Sequence, residues 1–537
     1  VSEWETDVLI LGGGPAGIWA ALSAAAAGAR VILADKARCG ADGPSAIGLT
    51  SLWNIAPGPA RAETVRRVLG HGGWLGDPET IHRVLAETHE RLTRLADRGH
   101  RFSGGSRAGR IWLDGAGYLR RLRRSAVEAG VRVLDHHPAT QLLVDSEGIV
   151  SGAAGIQRHN RFRPWTVRAS AVVVATGGCA FGSGRAGTDV DTGDGLLFAV
   201  EAGAELSGME FSSAYGLAPA TSVSAADRGL TFAELHDETG VVIEGHRGAA
   251  FTALAEGRRV YGVPAGLSPG QRRRLRRHGL IDPEQGIALR AVLEGTVRGT
   301  GGLHLTGPDC ATTIPGLFAA GDVTSREAVT GAVSGFGGSW AVASGTWSGA
   351  GAARFARGRP VPDRLSLTPA GAGPAAGLSP VARIDPRAVI GLVQEHTLPL
   401  RRSYRRSAGS LRDSIAELDA MWPGALFDLG GTGAERLRAR EAAAMLAVAR
   451  WTKYSALART ESRGIHRRTD FPQTDAGWRV RLRSGGLDTV SVRKTARNPI
   501  HEQTAAPMRA EESGRATRPG LTRRRITGFD PAAPGSG

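Results

Sequence analysis

The sequence predicts an α/β fold: a two-part, Rossmann-like nucleotide-binding domain, an inserted α+β cap domain and a C-terminal helical domain. Three observations carry this reading. A short apolar run, Asp7-Val-Leu-Ile-Leu11, feeds straight into Gly12-Gly-Gly-Pro-Ala-Gly17 and an alanine-rich stretch. Two later apolar runs, at 171–178 and 314–322, also end in glycine-rich turns, and ligands of open parallel sheets collect outside such strand ends. Helical periodicity then dominates 388–422 and 434–458.

The first elements are the most informative. The run 7–11 suits a buried parallel strand, and the helix over 18–27 is stopped by Gly28. A second strand, 30–34, ends at Asp35, with Lys36 next. Gly12-x-Gly14-x-x-Gly17 followed about twenty positions on by an acid is the dinucleotide fingerprint. Gly12 makes the tight turn, Gly14 lets the backbone approach a pyrophosphate, and Gly17 lets helix and strand pack closely. Pro15 and Ala16 open the helix whose N-terminus faces the phosphates, and Asp35 can accept from a ribose hydroxyl.

Strands at 131–134, 140–144 and 149–156 read as an antiparallel meander. The strand 171–178 delivers Ala175, Thr176 and Gly177 at its end, and Thr192-Gly-Asp194-Gly195 opens another helix. The strand 314–322 delivers Gly321 and Asp322. The text between is mixed polar and helical, which predicts an inserted domain. The expected boundaries are a nucleotide-binding part over 1–214, a cap over 215–300, the second nucleotide-binding part over 301–359, a Pro/Ala/Gly linker over 360–379, a helical domain over 380–497 and a disordered tail over 498–537.

Composition narrows the function classes. The 537 residues suit two or three domains, and 41% hydrophobic with 22% charged residues suits a sizeable core. No apolar run approaches the roughly 20 residues of a membrane span, and acidic Glu3, Glu5 and Asp7 predict no secretory signal. Cys39, Cys179 and Cys310 stand apart with no CxxC spacing. They exclude a disulfide scaffold and an iron–sulfur cluster held by this chain alone, and they predict a cytoplasmic protein. No metal site is expected. Lys+Arg exceeds Asp+Glu by 67 − 51 = 16, but only Lys36, Lys453 and Lys494 are lysines. The arginine clusters are scattered and lack interleaved aromatics, so they read as solvated faces and no nucleic-acid partner is expected.

Taken in order, four motifs resemble the fumarate reductase/succinate dehydrogenase flavoprotein family, which includes aspartate oxidase and the flavin subunit of adenylylsulfate reductase. They are Gly12–Gly17 with Asp35, Ala175-Thr-Gly-Gly178 with Thr192-Gly-Asp-Gly195, the stretch 312–322, and Arg459-Thr-Glu-Ser-Arg-Gly-Ile-His-Arg-Arg-Thr-Asp470. The resemblance covers roughly 7–478 and implies FAD, with a cap closing over the isoalloxazine. It implies cofactor contacts at Gly12, Gly14, Pro15, Ala16, Gly17, Asp35, Lys36, Ser45, Ala46, Ala175, Thr176, Gly177, Asp194, Gly321, Asp322 and Ser339.

Departures from the family pattern limit the function. Respiratory members place a histidine for covalent flavin attachment where 36–70 has none, so FAD is expected to be non-covalent. The family's dicarboxylate-clamping histidine and arginine fall at Thr330 and Ser334, and its histidine–proline turn falls at Tyr215. These losses argue against succinate, fumarate or aspartate as substrate. Arg326 (with Glu327), Tyr215 and His304 are the candidate catalytic groups. Each has a structural alternative: an ion pair, a packed tyrosine, a satisfied histidine. Arg463 and His466 suit a bridging role better. The expected function is an FAD-dependent oxidoreductase acting on a small polar or anionic substrate. Two readings stay open beside it: a flavin subunit served by a separate ferredoxin, as in adenylylsulfate reductase, and a flavin-binding protein without catalysis.

Overall fold

A computed structural model of the protein describes residues 1–99, 109–220, 234–244, 247–263, 286–333, 335–371 and 376–495. The expected tail, 498–537, lies outside the described residues. The central sheet is built on β1 (Ser2–Leu11), which pairs in parallel with β2 (Val31–Ala34) on one side and β8 (Arg163–Val174) on the other. Both β1 and β8 begin with alternating exposure and end in continuous burial. The reason is their neighbours. The first half of β8 pairs antiparallel with β7 (Val150–Gln157), and its last residues pair in parallel with β15 (Leu317–Ala319). Parallel strands are covered on both faces, so their side chains are apolar at every position.

Alternation sorts those side chains into two cores. Leu9, Leu11, Val172 and Val174 join Leu446 and Trp451 of the helix Gly433–Ala458. Val8, Ile10, Ala171 and Val173 face the helices Pro15–Ala26 and Gly337–Arg357.

Three local expectations are corrected. The strand expected at 131–134 is β5 (Arg132–Leu134), which pairs in parallel with β2 outside the meander. The helix Gly115–Glu128 returns the chain in the same direction, as a parallel neighbour requires. The meander itself is β6 (Ala139–Val144), β7 and β8. Part of the stretch expected as linker forms β16 (Thr368–Pro369), an edge strand against β6. The periodic stretch 388–422 is broken into the helices Pro386–Thr397, Leu400–Ser403 and Ala408–Phe427. Pro399 has no backbone N–H to continue the first helix and turns extended there (ψ 137°), and a capping box at Ser407 and Ser410 starts the third helix.

A second, antiparallel sheet has the order β10 (Ala214–Pro219), β13 (Ile287–Glu294), β12 (Val260–Val263) and β11 (Glu234–Asp237). Among the described residues no helix is long and apolar enough to cross a membrane.

Candidate functional site

The carboxyl ends of β1, β2, β8 and β15 open into one cavity of about 380 Å³, whose wall includes Leu11, Ala34, Ala175 and Asp322. The glycine loop forms its floor, and two of its glycines do different work. A Cβ on Gly17 would lie 1.8 Å from the Gly12 carbonyl oxygen, so this position is closed by the protein itself. A Cβ on Gly14 would meet no protein atom within 4 Å. That space belongs to the cavity. Asp35 holds the loop from the β2 side: its carboxylate accepts from the Gly13 and Ala37 backbone N–H groups, the latter at 2.7 Å. Burial raises its pKa.

Polar groups converge on the same space. Lys36 Nζ lies 2.8 Å from Asp194, 2.7 Å from Glu441 and 2.6 Å from Thr192, which ties the β2 end to the helix Gly433–Ala458. Thr176 Oγ1, Asp191 Oδ2 and Asp194 Oδ1 are buried with no hydrogen-bond partner among the described residues. Buried polar atoms are nearly always paired, so three orphans on one cavity wall fit a ligand rich in hydroxyls and amide groups. Burial, then the charge of Asp322, drives the Asp191 carboxyl pKa well up.

All the expected cofactor residues line this cavity except Gly17, Ala46 and Ser339. Gly17 packs beneath the loop, and Ala46 is buried in the short helix Pro44–Ile47. Ser339 stands behind the wall, where its Oγ accepts from the Trp53 N–H at 2.8 Å. The lining also includes residues that sequence reading missed: Asp191, Trp53, Arg110, Arg298 and Phe336. Asp191 had a signal, as the middle one of three acids from Asp189 to Asp194. The others are scattered in sequence and meet only in the fold.

The candidate catalytic side chains lie outside the lining. Arg326 is 1% exposed, with its Nη1 donating to Asp322 at 2.6 Å and its Nη2 to the carbonyls of Thr296, Val297 and Gly299. Tyr215 donates to the Leu398 carbonyl at 3.0 Å, and burial pushes its phenol pKa up. Burial, then the charge of Arg483, holds His304 down at about 4. Glu327 is buried and accepts from Ser207 and Ser325. Thr330 is buried, its hydroxyl against the Arg326 carbonyl, while Ser334 lies outside the described residues.

The arginine-rich motif at 459–470 pairs within the protein, with His466 Nδ1 and Glu210 Oε2 the buried atoms of this network that lack a partner among the described residues. Arg459 and Glu461 are fully buried. Arg459 donates to Glu210 at 2.9 Å and to Glu461 at 2.8 Å, and Arg463 donates to Glu461 at 2.7 Å. His466 lies 3.1 Å from the Arg459 carbonyl, and burial lowers its pKa well below the usual value.

A nucleotide fingerprint opening on orphaned polar groups defines a dinucleotide-binding protein, and sequence comparison makes it an FAD-dependent oxidoreductase. Residues 7–265 match the FAD binding domain, and residues 426–499 match the fumarate reductase flavoprotein C-terminal domain. The chain belongs to the fumarate reductase/succinate dehydrogenase flavoprotein family and, like that family, binds FAD. It is 28% identical to the L-aspartate oxidase of Streptomyces coelicolor over 88% of this chain and 90% of that one. It is 29% identical to the fumarate reductase flavoprotein subunit of Mycobacterium tuberculosis over 38% and 39% of the two chains. The fold is shared with quinol fumarate reductase of E. coli (TM-score 0.77, 20% identity, 93% of this chain and 97% of that one). It is also shared with adenylylsulfate reductase of Archaeoglobus fulgidus (TM-score 0.72, 17% identity, 92% and 96%).

Proposed function

We propose that this oxidoreductase moves a hydride or an electron pair between non-covalently held FAD and a small polar or anionic substrate that is neither succinate nor fumarate. One observation carries the reading: a cavity at the parallel strand ends presents orphaned acceptors and the glycine loop, with no histidine, cysteine or tyrosine on its described wall to form a covalent flavin bond. In this reading Asp35 accepts from ribose hydroxyls. The loop N–H groups and the N-terminus of the helix Pro15–Ala26 meet the pyrophosphate. Ser45 and the glycines at 337–338 flank the isoalloxazine, and the segment 215–300 acts as the cap over it. FAD, when bound, supplies the two-electron chemistry. The chain's own part is to bind, orient and exclude water.

The substrate exclusion rests on Thr330 and Ser334, two neutral hydroxyl residues where the family clamps a dicarboxylate with a histidine and an arginine. A second reading, oxidation of an α-amino acid, is favoured by the L-aspartate oxidase relatives that match almost end to end. A separate ferredoxin as electron partner fits a chain without cluster ligands of its own. Cytoplasmic residence fits three free, buried cysteines.

Acid precipitation of the purified protein is expected to leave yellow FAD in the supernatant; flavin in the pellet contradicts non-covalent binding. Anaerobic mixing with succinate should leave the flavin oxidised, and fast bleaching would overturn the exclusion. Bleaching by L-aspartate selects the second reading, and salt-sensitive reduction by a reduced ferredoxin selects the two-component one.

A further inference from the structure

Two arginines sit close together in the fold and differ in what they have left to give. Arg326 is the buried one, and every contact it makes is to the protein: Asp322, then the carbonyls of Thr296, Val297 and Gly299. Those carbonyls belong to the short turn of helix Gly295–Arg298 and the residue after it. The buried guanidinium therefore clamps this turn in one position against the Asp322 loop. Arg298 ends the same turn. Its side chain is exposed, it lines the cavity, and it makes no hydrogen bond or ion pair among the described residues. Asp322 feels its charge, but that carboxylate is already engaged by Arg326 at 2.6 Å.

The same cavity carries a second cation, Arg110, without a carboxylate partner among the described residues. Arg110 lies 4.3 Å from the Trp53 ring centre, and Arg67 approaches the same ring at 5.5 Å. The Trp53 ring also stacks on Phe336, with centroids 5.1 Å apart and planes at 28°. Like charges gathered on one indole repel each other: burial, then the proximity of Arg67, pulls the Arg110 pKa down. Trp53, Phe336, Arg110 and Arg298 all line the cavity. Two cations without a carboxylate partner among the described residues, lining one cavity with a partly apolar wall, can form an anion site, because an arriving oxyanion accepts charge-assisted hydrogen bonds from an arginine.

We infer that Arg298, held in place by Arg326 and assisted by Arg110, is the residue that anchors the anionic group of the substrate, supplying from the turn after β13 the charge that Thr330 and Ser334 lack. This deepens the proposed function and rests on it. The ligand is a small organic or inorganic oxyanion, and its apolar part lies against Trp53 and Phe336. Arg326 is a positioning residue in this scheme.

The test uses the FAD-loaded protein and three probes: L-aspartate, malonate and sulfate, each titrated while the flavin absorption spectrum is recorded. FAD content is measured first on the same sample. The wild type is expected to bind at least one probe saturably, with the carboxylates and sulfate distinguishing an organic from an inorganic anion. Arg298→Ala should keep its full FAD content and lose about tenfold or more in affinity for that probe, the loss of one charge-assisted hydrogen bond. Arg298→Lys should recover part of the loss, and Arg110→Ala should show a smaller one. Unchanged probe affinity in Arg298→Ala overturns the inference, as does failure of the wild type to bind any of the three. Loss of FAD from Arg298→Ala with intact probe binding assigns the residue to the cofactor and overturns it too. A wild type that holds no FAD brings down the flavin reading first, and this inference with it.

Discussion

The glycine loop at 12–17 and the arginine motif at 459–470 are both dense, specific pieces of sequence, yet they resolve their polar groups in opposite ways. Around the loop, Thr176, Asp191 and Asp194 keep buried atoms without partners among the described residues, and a Cβ on Gly14 would meet no protein atom within 4 Å. In the arginine motif, Arg459, Glu461, Arg463 and Glu210 are joined in one buried network. The first region is unfinished until a ligand arrives. The second is closed by folding apart from Glu210 Oε2 and His466 Nδ1, which are buried without a partner among the described residues and line no part of the cavity. The contrast teaches that motif density does not mark a binding site; unspent hydrogen-bonding capacity on a cavity wall does.

The contrast can be broken most forcefully at Arg459. Arg459→Met removes a cation that is fully buried and leaves Glu210 without its ion-pair partner, while Glu461 keeps Arg463, at a cost of about 3–5 kcal/mol. Chemical denaturation should show that loss with or without added FAD. A variant as stable as the wild type would mean that the network is not what holds this region together.

Within the loop, a matched pair of substitutions separates folding from binding. Gly17→Ala places a Cβ 1.8 Å from the Gly12 carbonyl and should destabilise the protein by about 1–3 kcal/mol or more. Gly14→Val meets no protein atom within 4 Å of its Cβ, so stability of the apoprotein should change by no more than about 0.5 kcal/mol while FAD retention collapses. Equal loss of stability in both variants, read by thermal melting of apoprotein, would erase the distinction between the two glycines.

His304 gives the smallest and sharpest test, because it was a candidate for chemistry and lies off the cavity wall. Its folded pKa of about 4 is below the usual histidine value of 6.5, since burial and Arg483 disfavour the imidazolium. The unfolded chain therefore takes up the proton first as pH falls. The stability contribution is fully present above pH 6.5 and is lost as pH drops toward 4. Histidine-to-glutamine substitution at 304 should flatten the melting temperature against pH in that window and leave the pH profile of flavin reduction by substrate unchanged. A shifted reduction profile would return His304 to the catalytic group.

Local chemistry made much of this protein legible. The apolar runs at 7–11 and 171–178 are buried parallel strands because neither face of such a strand meets water, and that demand is written residue by residue. The loop glycines and Asp35 are equally readable, since a turn, a close approach and a strand-end acid each require particular residue types at fixed spacing. What the sequence alone determined was therefore the nucleotide-binding framework and the cofactor class. Tertiary structure decided what each charge is for. Arg326 and Arg298 look alike in sequence, but one is consumed by three carbonyls and a carboxylate while the other is left facing the cavity. Trp53, Arg110 and Phe336 share a wall only because separate segments fold onto it. An arginine's role is set by which acceptors lie within reach, and those acceptors come from distant parts of the chain.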